Sequence, residues 1–167
     1  MGVEIERKFL LRSGAWRGAV RRSAEMRQGY LAGGENVSVR VRIAGGEARL
    51  NMKCGGMVAV RREYEYAIPL DDATELLDEV CAGPLVEKTR HWVEHEGHTW
   101  EIDEFSGANA GLLVAEIELD DEHETFARPD WLGAEVTHLT RYYNVSLVNH
   151  PYREWSEAER KAADASA

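Results

Sequence analysis

Like charges spaced two residues apart are the feature of this sequence with the clearest chemical meaning. Two carboxylates at that spacing, as at Glu4 and Glu6, suit Mg²⁺ or Mn²⁺, because these cations prefer oxygen ligands. Two arginines at that spacing, as at Arg40 and Arg42, suit phosphate, because a guanidinium presents a planar fork to its oxygens. The charged sets with this spacing are Glu4/Glu6/Lys8, Arg40/Arg42, Arg49/Asn51/Lys53, Arg61/Glu63/Glu65, Lys88/Arg90, Glu101/Asp103 and Glu116/Glu118.

A spacing of two residues places each of these sets on one face of a β-strand. They are either the wet outer faces of a sandwich or barrel, or the inner faces of a barrel with a hydrated lumen. A wet outer face usually mixes signs, because like charges on one strand repel each other, whereas here the charges within a set are mostly alike. The inward arrangement would require water, metal ions and a polyanion, because burying unpaired charges is costly.

Alternation of polar and apolar residues predicts the elements that position these charges. Turns at Gly45-Gly46 and Glu96-Gly97 predict two hairpins, and helices are expected over 71–81 and near 141–148, followed by a frayed tail over 156–167. The predicted strands cover residues 1–11, 25–31, 37–43, 47–53, 58–68, 85–95, 98–105 and 112–119. Eight strands, several of them paired as antiparallel hairpins, can close into a barrel.

The faces opposite the charges are predicted to be apolar and to pack under helices. Arg7 is an exception, because it falls on the apolar face of the first strand. The residues assigned to these outer faces are Val39, Val41, Tyr64, Tyr66, Trp92, Trp100 and Ile117.

The bulk composition limits the classes of partner. A chain of 167 residues favours one domain. Its net charge of −10 argues against nucleic acid and acidic membranes as partners. Cys54 and Cys81 form no metal or disulfide motif. The acidic start of the chain is unlike a signal peptide, and no long apolar run is present, so we expect a cytoplasmic protein.

At residues 4–10 the sequence EIERKFL resembles the ExExK signature of the CYTH superfamily, the triphosphate tunnel metalloenzymes. The resemblance extends to about residue 150. Departures from it are Asn51 before Lys53, where relatives often have Thr, and residues 138–140, where they often have Gly, Asp or Pro. The further matching motifs are QGYL (28–31), VRVR (39–42), NMK (51–53), EYEY (63–66), EKTR (87–90), WEIDEF (100–105), AEIEL (115–119), LGAEVT (132–137) and RYYN (141–144).

The resemblance implies a fold and an activity. The fold is mainly β (α+β): an eight-stranded antiparallel β-barrel tunnel with a charged lumen and a few helices outside. One domain would span residues 1–150, with a partly helical or disordered tail over 151–167. The implied activity is hydrolysis of inorganic tripolyphosphate to pyrophosphate and phosphate with Mg²⁺ or Mn²⁺. A class IV adenylate cyclase, a thiamine or nucleoside triphosphatase and a non-catalytic polyphosphate-binding module stay open as alternatives.

The resemblance also implies roles for individual residues. The metal ligands would be Glu4, Glu6 and Glu118, with Glu116 near a second ion. A Lys–Tyr pair that helps to activate the attacking water would be Lys8 and Tyr30. The phosphate clamp would be Arg40, Arg42, Lys53, Lys88 and Arg90. Further lumen acids would be Glu63, Glu65 and Asp103. The expected partner is a small-molecule triphosphate, with no nucleic acid and no membrane, and a homodimer is left open.

Overall fold

The computed structural model describes residues 2–34, 36–56, 58–81 and 83–161. Eight antiparallel strands close into a barrel in the order β5-β4-β3-β2-β6-β7-β8-β1, and β1 pairs with β5 to complete the circle. The predicted barrel is therefore confirmed. The strands are β1 (Gly2–Leu11), β2 (Val20–Gly33), β3 (Val37–Ala44), β4 (Glu47–Cys54), β5 (Val60–Ala67), β6 (Val86–His95), β7 (His98–Phe105) and β8 (Leu113–Leu119).

Shorter elements pack around the barrel. A ninth strand, β9 (Leu132–Glu135), was not predicted and pairs with the end of β1. The helix expected over 71–81 is α1 (Leu70–Glu75), which continues as a π-helical turn over Leu76–Val80. Near the carboxyl end lie α2 (Asn144–Asn149) and α3 (Glu157–Lys161). Single 3₁₀ turns are found at Ala15–Ala19, Gly107–Asn109, Thr140–Tyr142 and Tyr152–Glu154.

Both predicted hairpin turns are present. Gly45 and Gly46 have φ angles of 56° and 86° between β3 and β4, and Glu96 and Gly97 have φ angles of 47° and 84° between β6 and β7. Two consecutive residues with positive φ match the twist of the flanking strands, which glycine allows without steric cost. These turns fix the register, and the register decides which residues face the lumen.

The charged faces of the strands point inward. Cross-strand partners share a face, and the register pairs Lys8 with Glu116 and Arg90 with Asp103. The opposite faces form an apolar core outside the barrel wall, in which Trp100 packs edge-on against Phe9 with ring centroids 5.7 Å apart. The barrel therefore has charged residues inside and apolar residues outside, the reverse of a barrel with an apolar centre. This is the second of the two arrangements considered from the sequence.

Arg7 is accommodated on the apolar side by the unpredicted strand β9. Its Nε and Nη2 atoms donate to Glu135 at 2.8 and 2.5 Å. Its guanidinium carbon also lies 5.0 Å from the ring centroid of Phe126. The pair with Glu135 balances the charge and the ring contact covers the side chain, which explains a charged residue on an otherwise apolar face.

Two further apolar clusters hold the helices on the wall. In one, Ala73 and Leu77 cover Val41 of β3. Gly29 allows this close approach, because a Cβ there would lie 2.8 Å from the Sγ atom of Cys81. The other cluster extends past residue 150, since the buried Trp155 packs against Tyr142 with centroids 5.0 Å apart.

The predicted tail is helical over Glu157–Lys161, and residues 162–167 lie outside the described part of the chain. No helix in the described ranges is long and apolar enough to cross a membrane. The boundary proposed near residue 150 between domain and tail stays a prediction.

Candidate active site

A polar tunnel of about 220 Å³ runs inside the barrel. Nearly all of the predicted site residues line it. The exceptions are Lys88 and Asp103, which lie on the same inner face but are buried beside the lining residues, in contact with each other and with Asp103 also bonded to Arg90. The predicted residues that line the tunnel are Glu4, Glu6, Lys8, Tyr30, Arg40, Arg42, Lys53, Glu63, Glu65, Arg90, Glu116 and Glu118.

Five charged side chains from β1, β6, β7 and β8 form one buried cluster: Lys8, Lys88, Arg90, Asp103 and Glu116. Arg90 donates to Asp103 from Nε at 2.7 Å and from Nη2 at 2.8 Å, and its Nη2 also donates to Glu116 at 2.8 Å. Lys8 donates from Nζ to Glu116 at 2.5 Å, and Lys88 donates to Asp103. Asp103 is 0% exposed and Lys8 2%, so each charge depends on these partners.

The pKa shifts in this cluster follow from burial and from the balance of partners. Burial would raise the pKa of Glu116, but Lys8, Arg90 and Lys88 hold it well below its ordinary value. Burial would lower the pKa of Lys8, but Glu116 and Glu6 outweigh that effect and raise it. Lys88 differs, because burial and the nearby Arg90 outweigh the attraction of Asp103 and lower its pKa to about 8.

Glu4 and Glu6 are held by three cations. Lys53 lies 2.7 Å from both oxygens of Glu4, and Arg61 donates to Glu4 at 3.2 Å and to Glu6 at 3.4 Å. The third cation is Lys8, whose Nζ is 2.5 Å from Glu6. Burial and the charge of Glu6 raise the pKa of Glu4. The pKa of Glu6 falls to about 2, because Lys8, Lys53 and Arg61 outweigh burial.

At the open end of the tunnel, four carboxylates form an acidic rim. Glu118 is exposed, and no hydrogen bond or ion pair joins it to another described residue. Partial burial of its carboxyl group against the tunnel wall raises its pKa, and so do the charges of Glu4, Glu63, Glu101 and Glu6. Glu118 therefore carries a negative charge that no described protein group pairs, whereas Glu65 and Glu101 are paired with Arg42 and Arg90. The acidic rim consists of Glu63, Glu65, Glu101 and Glu118.

Arg40 is the clearest unpaired cation in the tunnel. Its side chain is 8% exposed, and no carboxylate within the described ranges pairs with it. Its Nε atom has no hydrogen-bond partner. Tyr30 interacts with it, and burial raises the pKa of that phenol even though Arg40 opposes the shift. A buried guanidinium without a counter-ion is costly unless an anion completes it.

One end of the tunnel is covered by residues 143–145, to which no site role was assigned from the sequence. The Tyr143 ring lies 5.1 Å from the Nζ atom of Lys8. Lys88 donates to the side-chain oxygen of Asn144 at 3.4 Å. Val145 packs so closely on β2 that a Cβ on Gly33 would lie 2.7 Å from it. These residues lie at the start of α2, where the two-residue periodicity of strands gives no signal.

Two more residues were placed differently from the prediction or left without a role. Arg61 belongs to a charged set found in the sequence, but its contact with Glu4 and Glu6 was not anticipated. Trp92 was assigned to the outer face, and that assignment is wrong. Its indole N–H donates to Glu101, a tunnel residue, at 2.9 Å, because residue 92 shares the parity of Lys88 and Arg90.

The donor set fits a hard divalent cation. Its candidate ligands supply carboxylate oxygens, which such cations prefer, and Glu118 carries uncompensated charge beside them. In the present arrangement Lys8, Lys53 and Arg61 occupy the oxygens of Glu4 and Glu6. Accordingly, no group of three or more His, Cys, Asp or Glu side chains among the described residues is already gathered as a metal centre.

Comparisons with known proteins agree with this architecture. An inorganic triphosphatase of Acetivibrio thermocellus is 44% identical over 157 residues, which is 94% of this chain and 100% of that protein. One from Nitrosomonas europaea is 34% identical over 150 residues, 87% of this chain and 97% of that protein. A crystal structure of an inorganic triphosphatase, 33% identical, superposes with a TM-score of 0.65 over 89% of this chain and 95% of that one. Because a family model for the CYTH domain also matches residues 2–152, the chain belongs to the CYTH domain family.

Proposed function

We propose that this protein is a divalent-metal-dependent inorganic triphosphatase, which hydrolyses tripolyphosphate to pyrophosphate and phosphate. The observation that carries this is Arg40, a buried guanidinium in a polar tunnel with no carboxylate partner among the described residues. A multiply charged phosphate anion would complete it. The relatives that are more than 30% identical bear the same activity in their names.

The proposed phosphate clamp is Arg40, Arg42, Lys53, Lys88 and Arg90. Arg40 and Arg42 neighbour each other on one strand face, and both have a buried Nε without a partner. Arg90 reaches the tunnel with its guanidinium fixed by Asp103 and Glu116. Such pre-oriented forks bind phosphate oxygens without reorganisation, which is where most of the catalytic advantage in phosphoryl transfer arises.

The proposed metal ligands are Glu4, Glu6 and Glu118, with Glu116 near a second site, and the ion is Mg²⁺ or Mn²⁺. When bound, the ion would neutralise phosphate oxygens and help to orient them. Glu4 and Glu6 are now paired with Lys53, Arg61 and Lys8. We infer that these ion pairs separate when substrate binds. The carboxylates of Glu4 and Glu6 then turn to the metal ion, and the freed ammonium and guanidinium groups turn to phosphate.

Lys8 and Tyr30 are the proposed catalytic pair. Both line the tunnel, and Tyr30 is close enough to Lys8 for that charge to act on the pKa of its phenol. They would orient a water for in-line attack on the terminal phosphorus, with pyrophosphate leaving. Glu63, Glu65 and Asp103 would hold the basic groups in place, as Asp103 already does for Arg90.

The size of the tunnel favours an inorganic substrate. Its volume of about 220 Å³ is below the roughly 300–1,000 Å³ of cavities that enclose drug-sized organic ligands. A compact phosphate chain fits inside, whereas a nucleoside would have to remain outside. The net charge of −10 also disfavours nucleic acid and acidic membranes as partners. We further propose a cytoplasmic location.

The test is a substrate profile with tripolyphosphate, ATP and thiamine triphosphate, each with Mg²⁺ and with Mn²⁺. We expect phosphate release to be fastest from tripolyphosphate and to stop when the metal is chelated. Arg40→Met should raise KM for tripolyphosphate strongly, while Arg62→Met, an exposed arginine of β5, should not. Cyclic AMP formation, or a preference for either organic triphosphate, would contradict the proposal.

A further inference from the structure

An arginine stacked on a tryptophan lies just beyond the proposed phosphate clamp and has no role in the function proposed above. The guanidinium carbon of Arg22 is 3.9 Å from the ring centroid of Trp92. Trp92 is held by its N–H bond to Glu101, and Glu101 also accepts from Arg90. The pair is thus connected through one carboxylate to the centre of the site.

The strand register places this pair on the inner side of the wall, level with the acidic rim, because Trp92 lies opposite Glu101. Residues 20–25 of β2 pair with β6 alone, because pairing with β3 begins only at Met26. Ala24 lies opposite Arg90, and Arg22 lies opposite Trp92. Arg22 is therefore one strand repeat, about 6.6 Å, further towards the open end than Arg90.

The guanidinium group of Arg22 has no ion-pair partner among the described residues. The side chain is exposed, and within the described ranges no carboxylate or carbonyl accepts from it. Its neighbour Arg27 on the same strand is instead paired with Asp78 at 3.2 Å. The aromatic contact keeps the guanidinium in place while its N–H donors stay available. Although the chain has a net charge of −10, Arg22 is a local cation at the open end of the tunnel, where an anion would enter.

We propose that Arg22, supported by Trp92, is an outer subsite for phosphoryl groups that project from the tunnel when a linear polyphosphate has more than three of them. This inference rests on the proposed triphosphatase function and extends its substrate class. A phosphoryl group suits the site better than a nucleobase, because Arg22 already covers one face of the indole and the indole N–H is already bonded to Glu101.

The test compares tetrapolyphosphate with tripolyphosphate in wild type and in Arg22→Gln. We expect the ratio of kcat/KM for the longer to the shorter chain to fall about tenfold in the variant, the effect of losing one charge-assisted contact. Arg21→Gln is the matched control, because Arg21 is an exposed arginine of the same strand that contacts no aromatic ring among the described residues, and it should leave the ratio unchanged. Arg22→Lys should restore part of it.

Calorimetric titration of the two polyphosphates gives a readout that does not need turnover, and it should show the same selective loss of affinity for the longer chain. An unchanged ratio in Arg22→Gln, or an equal change in Arg21→Gln, would overturn the subsite. A selective loss for ATP instead of tetrapolyphosphate would also overturn it, in favour of nucleoside contact. If wild type hydrolyses neither polyphosphate, the proposed function fails, and the titration still decides whether Arg22 binds the fourth phosphoryl group.

Discussion

The two halves of the tunnel, the buried cluster and the acidic rim, differ in how their concentrated charges are stabilised. In the buried cluster, each carboxylate of Asp103 and Glu116 accepts from two cations at short distance. At the acidic rim, Glu118 has no described partner, and partial burial and neighbouring carboxylates raise its pKa. The carboxylates of the inner half are fully paired without ligands, whereas the outer half leaves Glu118 without a counter-charge among the described residues.

This difference indicates a division of labour. Buried ion pairs are expensive to break, because removal of one partner leaves a charge without solvent, so the inner half is fixed in geometry. Repulsion between exposed like charges costs little free energy, because water screens them. The outer half can therefore keep a carboxylate available to bind a cation. Stability and activity should therefore respond differently to mutations in the two halves.

The largest effect is expected from Arg90→Met in the buried cluster. Asp103 would lose two of its three bonds while 0% exposed, and we expect the free energy of unfolding to fall by about 3–5 kcal/mol. Urea denaturation followed by circular dichroism measures this. Arg42→Met is the control, because Arg42 pairs with Glu65 nearer to solvent, and it should cost under about 1 kcal/mol. Equal midpoints for both variants would erase the distinction between the two halves.

Glu118→Gln should separate activity from stability at the rim. We expect kcat/KM for tripolyphosphate to fall at least about 100-fold, as for loss of a preorganised charged group, and the metal concentration for half-maximal rate to rise. The unfolding temperature should not fall, because burial and repulsion from neighbouring carboxylates both raise the pKa of Glu118, and the neutral amide removes both costs. Glu122→Gln, on an exposed loop, is the control. A normal rate in Glu118→Gln would remove Glu118 from the metal site.

The pH dependence should sharpen the assignment of Lys88 to the clamp. Burial and Arg90 lower its pKa to about 8, against Asp103 and Glu116, so Lys88 is a cation below that pH and becomes neutral above it. We expect KM for tripolyphosphate to rise roughly tenfold between pH 7 and 9. Lys88→Arg stays charged over this range and should flatten the rise. Parallel profiles for the two proteins would show that Lys88 does not titrate during binding.

The smallest effect is expected outside the wall. Arg7 and Glu135 form a bidentate pair with about a third of each side chain exposed, 31% and 30%. Arg7→Leu should change the free energy of unfolding by less than about 1 kcal/mol, measured by urea denaturation, and should leave kcat/KM unaltered. Because Arg7 lies between Glu6 and Lys8 in sequence, a large loss of activity would show that strand face does not decide function here.

The sets of residues that share a strand face were predictable because they depend on one local rule, whereas the choice of an inward-facing barrel came from the resemblance to the CYTH superfamily. In each of β1 to β8, residues two apart share a face, so Glu4 and Glu6 could be assigned together without knowledge of their neighbours. The pairing of Lys8 with Glu116 was not predictable in this way. It joins residues 108 positions apart, and it depends on the register of a closed barrel.

The misses have equally specific causes. Trp92 was assigned outward because tryptophan usually packs in a core, although its position has the parity of Arg90. Strand β9 has four residues, too few for alternation to be recognised. Tyr143 and Asn144 reach the site from a short helix, and their place is decided by how α2 packs against the barrel. The two-residue alternation therefore predicted the side chains that the strands contribute to the tunnel, and it missed Tyr143 and Asn144 at its end.

That cover has a kinetic consequence. Residues 143–145 line one end of the tunnel, and we expect reactant and both hydrolysis fragments to pass through the opposite opening. Departure is then ordered: the fragment nearer the opening leaves first and the inner one follows. Added pyrophosphate and added orthophosphate should accordingly give unlike inhibition patterns, one competitive with the incoming chain and the other not.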